Sequence, residues 1–341
     1  AGAAKSESRA SDAIALFWKV KALEPNSAVA INAHFDAASL LLQSEKWSQA
    51  AKLLVSFRKS HSKHQLTQNI PEMLALAYEK QEDWSSAAAE YHNMSSNQSD
   101  PNTAREGFWR VAELYEKAGN RTKAIKAYKY YVRTYPSPYL LAQEGRSKLV
   151  TLYLNAKEAA KAAFWDQKIV QAYATNKAQN NQRTAYLAAA SRYRLSEDIW
   201  LAYKKIKLTL PLAKTLKKKR AAMKKALAAY NSVAQYQVAF YTSASTHRVA
   251  QIYQMLSDDL LNSQRPKGLG EDELEEYGYL LEDQALPFED KAINFYEINA
   301  KRTIDAIYTE GVKSSINALR KLKPAHYDKH ERLEVVDELE F

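Results

Sequence analysis

The sequence predicts an all-α protein, a right-handed superhelix of antiparallel helix hairpins whose C-terminal half uses longer helices. Three observations lead there. Glycine and proline number only 8 and 9 in 341 residues, too few for a turn-dense β fold, while the helix formers Ala, Leu, Lys, Glu and Gln abound. Alanines recur at near-constant intervals through the first half. Beyond Pro211, apolar residues recur at helical spacings, the stripe of one helix of about 30 residues.

The repeat is read from its alanines. Ser11-Asp12-Ala13-Ile14, Trp47-Ser48-Gln49-Ala50, Trp84-Ser85-Ser86-Ala87 and Arg121-Thr122-Lys123-Ala124 align. They place Ala13, Ala50, Ala87 and Ala124 37 residues apart, with Ala162 38 later. Phe17, Leu54, Tyr91 and Tyr128 stand four residues after these alanines; Val20, Phe57, Met94 and Tyr131 stand seven after. A small side chain followed by large ones at these steps is one helix face fitted closely against a neighbour. The preceding helix of each unit supplies the matching half. Leu41, Tyr78, Tyr115 and Tyr153 lie nine residues before an alanine of the series, and Ala38, Ala75 and Ala112 mark close approaches. Pro25, Ser99-Asp100-Pro101 and Tyr135-Pro136-Ser137-Pro138 separate the units.

The fourth unit is the clearest: Phe108, Val111, Ala112, Tyr115, Gly119, Ala124, Tyr128 and Pro136. It resembles the tetratricopeptide consensus of aromatic, Leu, Gly, Tyr, then Ala, aromatic and Pro, stretched by about three residues beyond the usual ~34. The resemblance covers residues 8–175. In the fifth unit Ala162 keeps the register, but Asp166 stands where the aromatic belongs, so that unit reads as degenerate. Residues 1–180 are therefore expected to form about five repeats.

Past residue 180 the period fades and helices persist. Tyr186 to Tyr193 reads as one helix, with Ser196-Glu197-Asp198 capping the next as far as Leu208. Pro211 suits a first turn. The helix after it carries Leu212, Leu216, Met223, Leu227, Tyr230, Ala234, Val238 and Tyr241. Arg265-Pro266-Lys267-Gly268 is a breaker. Leu274, Tyr277, Leu280 and Leu281 form a short stripe, and Pro287 begins a long helix through Ile293, Tyr296, Ala300, Ile304 and Ile307. Lys323-Pro324 ends the last helix. Residues 181–324 thus form a degenerate helical region, and residues 325–341 a polar, loosely ordered tail.

The net charge of +10 admits an acidic partner without naming it. With no cysteine there is no disulfide framework, zinc-finger ligand set or thiol nucleophile. Twenty-two tyrosines suit helix packing with the ring buried and the hydroxyl wet. No apolar run is long enough to span a membrane. The chain begins at Ala1 without Met and shows no signal peptide, as expected of a processed or truncated form.

Chemistry is sparse. His61/His64 and His326/His330 could each share a helix face, but neither pair has the further ligands a catalytic zinc needs. No Gly-rich phosphate loop, nucleophile elbow or HExxH pattern occurs, and Glu271–Glu276 lacks the alternation of a calcium loop. No enzyme and no cofactor is expected.

Two surfaces are the binding candidates. The first helix of each hairpin lines the concave side of such a stack, presenting Asn32, Phe35, Asn69, Glu72, Trp109, Glu113 and Glu116. An aromatic amid amides and carboxylates suits a protein or peptide segment, with Trp109 as hot spot; packing of Trp109 on a neighbouring helix is the competing reading. The second surface is basic. Eleven Lys and Arg and no acidic residue lie between Asp198 and Asp258. Lys214, Lys217, Lys218, Lys224 and Lys225 fall away from the Met223 stripe on a solvated face, while Lys219 and Arg220 flank it with their charges reaching water. Residues 271–290 reverse the balance, with nine acidic side chains and no basic one. The basic face either closes on that block or docks an acidic protein, lipid headgroups or a polymer. Nucleic acid ranks last, because no recognition motif accompanies the charge.

The stretches 210–236, 245–269 and 280–308, which include "LPLAKTLKKKRAAMKK" and "LPFEDKAINFYEINAKR", resemble the end of large Gram-negative tetratricopeptide proteins. These are labelled adventurous-gliding-motility-like and occur with TonB/ExbB/ExbD-type energising systems. The resemblance implies a periplasmic, outer-membrane-associated scaffold that assembles or couples envelope proteins. It brings no catalytic residue.

Overall fold

A computed structural model describes residues 2–24 and 27–328, with side chains from residue 11 onward except those of 13 and 21. All the regular structure in this span is helical. The chain divides into two compact units, Ala1–Asn155 and Ala156–Phe341.

The N-terminal unit holds α1 (Gly2–Leu23), α2 (Ala28–Gln43), α3 (Trp47–Ser60), α4 (Ile70–Lys80), α5 (Trp84–Ser96), α6 (Pro101–Lys117), α7 (Arg121–Thr134) and α8 (Tyr139–Asn155). Consecutive helices pack as antiparallel neighbours. Ala50, Ala87 and Ala124 are completely buried, as are Ala38, Leu41, Leu54, Phe57, Tyr128 and Tyr131. Tyr91 and Met94 are half-buried. The side chain of Ala13 and the predicted break at Pro25 lie outside the described residues.

The backbone repeats with the same period. Glu45, Glu82 and Gly119 adopt left-handed conformations, φ 56°, 58° and 68°, at 37-residue intervals, and Lys157 (φ 59°) follows 38 later. One residue past the first three bends, the amides of Lys46, Asp83 and Asn120 donate to the carbonyls of Leu41, Tyr78 and Tyr115 at 2.9, 2.9 and 3.0 Å. That is a Schellman closure. The periodic Leu and Tyr residues therefore end each first helix through their carbonyls as well as packing through their side chains. Asp83 and Asn120 then cap the second helix, accepting from the Ser86 and Lys123 amides at 3.1 and 3.2 Å. Between units, Asp100 caps α6, accepting from the Thr103 amide at 2.8 Å, and Pro101 opens the helix.

The C-terminal unit holds α9 (Ala159–Thr175), α10 (Gln182–Lys204), α11 (Leu212–Ala234), α12 (Ala239–Leu261), α13 (Glu271–Lys301), α14 (Glu310–Leu322) and the single turn α15 (Pro324–Tyr327). Trp200, Tyr203, Leu216, Met223, Tyr230, Ile252 and Leu256 form its main core. Ala162 is buried on α9. Beside it, the carboxylate of Asp166 is buried and paired bidentately with Arg194 of α10, at 2.6 and 3.1 Å. The missing aromatic of the fifth unit is thus replaced by an ion pair.

Three boundaries differ from expectation. Ser196 caps no helix: α10 runs through it, and its hydroxyl donates to the Arg192 carbonyl at 2.8 Å, one turn back. The cap is Asn181, in a capping box with Thr184. The stripe after Pro211 spans two helices. Gln237 turns the chain at φ 57° with neither Gly nor Pro nearby, so Val238 becomes the extended residue that precedes α12 and Tyr241 lies within α12. Finally, Glu271–Lys301 is one helix with Pro287 inside it. Pro287 is exposed, where the carbonyl it leaves unbonded reaches water, and Leu281, Ala285, Ala292 and Tyr296 hold both halves in the core. Ile304 and Ile307 fall beyond its end, and Ile304 is 84% exposed. The expected tail is described only to Asp328; residues 329–341 lie outside the described residues.

Candidate interaction surfaces

On the N-terminal unit, three of the seven predicted side chains converge. The indole N–H of Trp109 donates to Glu113 at 2.8 Å, and its ring meets Tyr128 and Tyr131 edge-on with centroids 5.6 and 4.9 Å apart. Glu116 accepts from the Tyr128 hydroxyl at 2.7 Å and pairs with Lys148 of α8 at 3.1 Å. Burial, then the bond to Glu116, raises the Tyr128 pKa well above its ordinary value, so the phenol stays a donor. Trp109 is partly exposed and also packed on α7. Phe35 is half-buried on α2, edge-on to Phe57 at 5.8 Å. Asn32, Asn69 and Glu72 are exposed, on α2 and at the start of α4.

A different face of α6 borders a cavity of about 330 Å³ between α5 and α7. Phe108, Val111, Tyr115 and Tyr130 line it, with Lys123 and Lys126 at its rim. Buried and half-buried ion pairs tie the helices together: Arg58 to Glu90 at 2.7 Å and Arg110 to Glu79 at 2.9 Å.

On α11, Lys214, Lys217, Lys218, Lys224 and Lys225 are all exposed. Among the described residues none of the five is ion-paired. Arg220 is exposed as expected, with its guanidinium over the Phe288 ring, 5.6 Å from the centroid. Lys219 is not. Its side chain is completely buried, its ammonium donates to the Ile206 carbonyl at 2.7 Å, pairs with Asp259 of α12 and lies 4.8 Å from the centre of the Tyr203 ring. Sequence position put Lys219 at the edge of the stripe, but the acceptors that make burial affordable come from other elements. Among the described residues no ion pair joins the basic face to the acidic block at 271–290.

The polar interior of the C-terminal unit was not legible in sequence. Glu197 accepts from the Tyr230 hydroxyl at 2.7 Å and from Arg248 at 3.0 Å. Asn299, completely buried, donates to the Ser243 carbonyl (2.8 Å), the Gly311 carbonyl (3.2 Å) and the Ser315 hydroxyl (2.9 Å), clamping α12, α13 and α14. His247 meets Ser315 at 3.0 Å, and burial, then Arg248, pushes its pKa down to about 4.

The histidine pair His61/His64 shares no helix face: His61 ends α3 and His64 opens the 3-10 turn before α4, both beside Phe57. His326 lies in the single-turn α15, and His330 is outside the described residues. Among the described residues no group of three or more His, Asp or Glu could hold a metal, and no helix is long and apolar enough to cross a membrane.

Antiparallel helix pairs with a 37-residue period, closing bends in phase and buried alanines define a tetratricopeptide-like all-α repeat protein. No protein-family model matches the chain, and no curated protein matches it. Among solved structures, a tetratricopeptide repeat protein from Parabacteroides merdae is 14% identical, over 86% of this chain and 98% of its own, with a TM-score of 0.32. The structure of Naa15/Naa10 bound to HypK-THB is 12% identical, over 94% of this chain and 57% of its own, at 0.40. BtubC from P. vanneervenii is 10% identical, over 92% and 98%, at 0.30. Scores this low carry no functional argument, and the fold assignment rests on the helix pairing itself.

Proposed function

We propose that the chain is a non-catalytic protein-interaction scaffold of the bacterial cell envelope, working in the periplasm beside a TonB/Tol-type energising or motility system. The observation that carries the scaffold reading is the lysine face of α11. Five ammonium groups stand in solvent without a carboxylate partner among the described residues, while the sixth lysine of the same helix, Lys219, is buried and neutralised. A helix that needed its cations for packing would pair them as it pairs Lys219. The five free ones are suited to an acidic protein surface. The Trp109–Glu113–Glu116 cluster is the second docking point, for an extended segment of a partner. The envelope setting is supported by the sequence resemblance of residues 200–328.

The test is co-purification from an envelope fraction with wild-type chain, Trp109→Ala, and a Lys217→Glu/Lys218→Glu/Lys224→Glu variant. Each variant is expected to lose partners the wild type retains. Identical recovery with all three would refute both surfaces. An anionic polymer, cell wall or nucleic acid, is the alternative occupant of the lysine face. It predicts binding to purified polymer that weakens steeply with salt and a shallower salt slope in the triple variant.

A further inference from the structure

We propose that the C-terminal unit carries a binding site for an uncharged oligosaccharide, set between the start of α10 and the turn joining α11 to α12. The cavity there is about 510 Å³, within the ~300–1,000 Å³ that holds small ligands. Its lining is three tyrosines, four amide side chains, one Ala and one Val, and none of the nine is charged. Charged residues make up 26% of the chain, so an average patch of this size would hold about two. A site lined this way offers nothing to an ion. It offers paired donors and acceptors, and flat apolar rings.

Those two features match a sugar. Hydroxyl groups both donate and accept, as primary amides do, and the C–H faces of a pyranose pack on aromatic rings. The rings are braced. Tyr173 and Tyr236 meet at 5.2 Å and 64°, and Tyr186 leans on Tyr241 at 5.4 Å and 60°. Two amides are fixed by the fold: Asn180 donates to the Tyr173 carbonyl at 2.9 Å, and Asn181 accepts from the Thr184 amide at 2.9 Å. The other two, Gln182 and Gln237, are exposed, and their side-chain amides make no hydrogen bond within the described residues. Gln237 is held at the rim by its left-handed backbone, φ 57°. An extended peptide is the weaker match, because it draws specificity from apolar pockets for alternate side chains, and only Ala185 and Val238 are aliphatic here.

Titration calorimetry of the full chain with maltotriose, cellotriose and chitotriose, at low and high salt, tests this. At least one trisaccharide is expected to bind with an affinity that salt does not change. Gln182→Ala and Gln237→Ala, both at exposed positions, are expected to weaken it tenfold or more together while the melting curve stays in place. The Lys217→Glu/Lys218→Glu/Lys224→Glu variant is expected to bind the sugar normally, which separates this site from the lysine face. No binding of any of the three at millimolar concentration, binding that survives the double glutamine substitution, or preference for an uncharged extended peptide would each overturn the proposal.

Discussion

Burial of Lys219 makes a quantitative prediction, because the two ends of its ion pair with Asp259 differ in what their loss leaves behind. The ammonium is completely inside, the Asp259 side chain is one-third exposed, and the Ile206 carbonyl and the Tyr203 ring complete the shell. Asp259→Ala strands a full positive charge with one carbonyl and one ring face. Breaking a buried pair in this way costs about 3–5 kcal/mol. The retained carbonyl and cation–π contact put the expected loss near the lower end, about 3 kcal/mol. Lys219→Met keeps the stem's volume and removes the charge. Asp259 then turns to water, and the remaining cost is one unsatisfied carbonyl, about 1–2 kcal/mol. The double variant should therefore lie close to Lys219→Met alone. Urea unfolding followed by circular dichroism measures all three. If Asp259→Ala were as mild as Lys219→Met, the ammonium would be reaching water in solution, and its interior role would be refuted.

Three further outcomes are expected. His247 is neutral inside, with Arg248, Tyr296 and Ser315 around it, and its pKa lies near 4. The unfolded chain takes its proton near pH 6.5, so this contribution is whole above that pH, falls as pH drops to about 4 and is then constant, a loss of about 3 kcal/mol. In His247→Gln this component of the stability–pH curve between pH 6.5 and about 4 should disappear. Gly311→Ala would bring a methyl within 2.7 Å of the Ser243 and Ala244 backbone. Because backbone cannot swing aside, the expected destabilisation is about 1–3 kcal/mol, read as a lower denaturation midpoint. Glu82→Gly relieves a left-handed non-glycine residue, φ 58°; after the entropy glycine adds to the unfolded chain, the melting temperature should rise by an amount equivalent to about 0.5 kcal/mol.

The first half of the fold was legible because its determinants are local and repeated. Ala50, Ala87 and Ala124 announce a close helix contact through residues within two turns of themselves, and their burial follows. The longer helices were harder for the opposite reason. Ser196 has the chemistry of a cap, and only the tertiary path shows its hydroxyl bonding back to Arg192 inside one continuous helix. Gln237 carries no turn signature in its side chain, so the α11 stripe ran on across the bend. Pro287 looks like a beginning and is an interior residue, because the seam on α12 outweighs a lost hydrogen bond on the wet side. Of the surface residues, the five exposed lysines could be read from a helical wheel. Lys219 could not: its Asp259 partner lies 40 positions on. The amide and tyrosine cavity is assembled from three separated stretches, and Asn180-Asn181-Gln182 was the one compact sign of it.

The phased left-handed bends have an engineering consequence. Glu45, Glu82 and Gly119 present the same backbone geometry to whatever follows, so the chain is modular at those joints. Excising residues 83–119 would splice Glu82 directly onto Asn120, a residue already adapted to follow such a bend and to start a helix. A shortened array made this way keeps every hairpin in frame, and a lengthened one can be built by duplicating the same cassette.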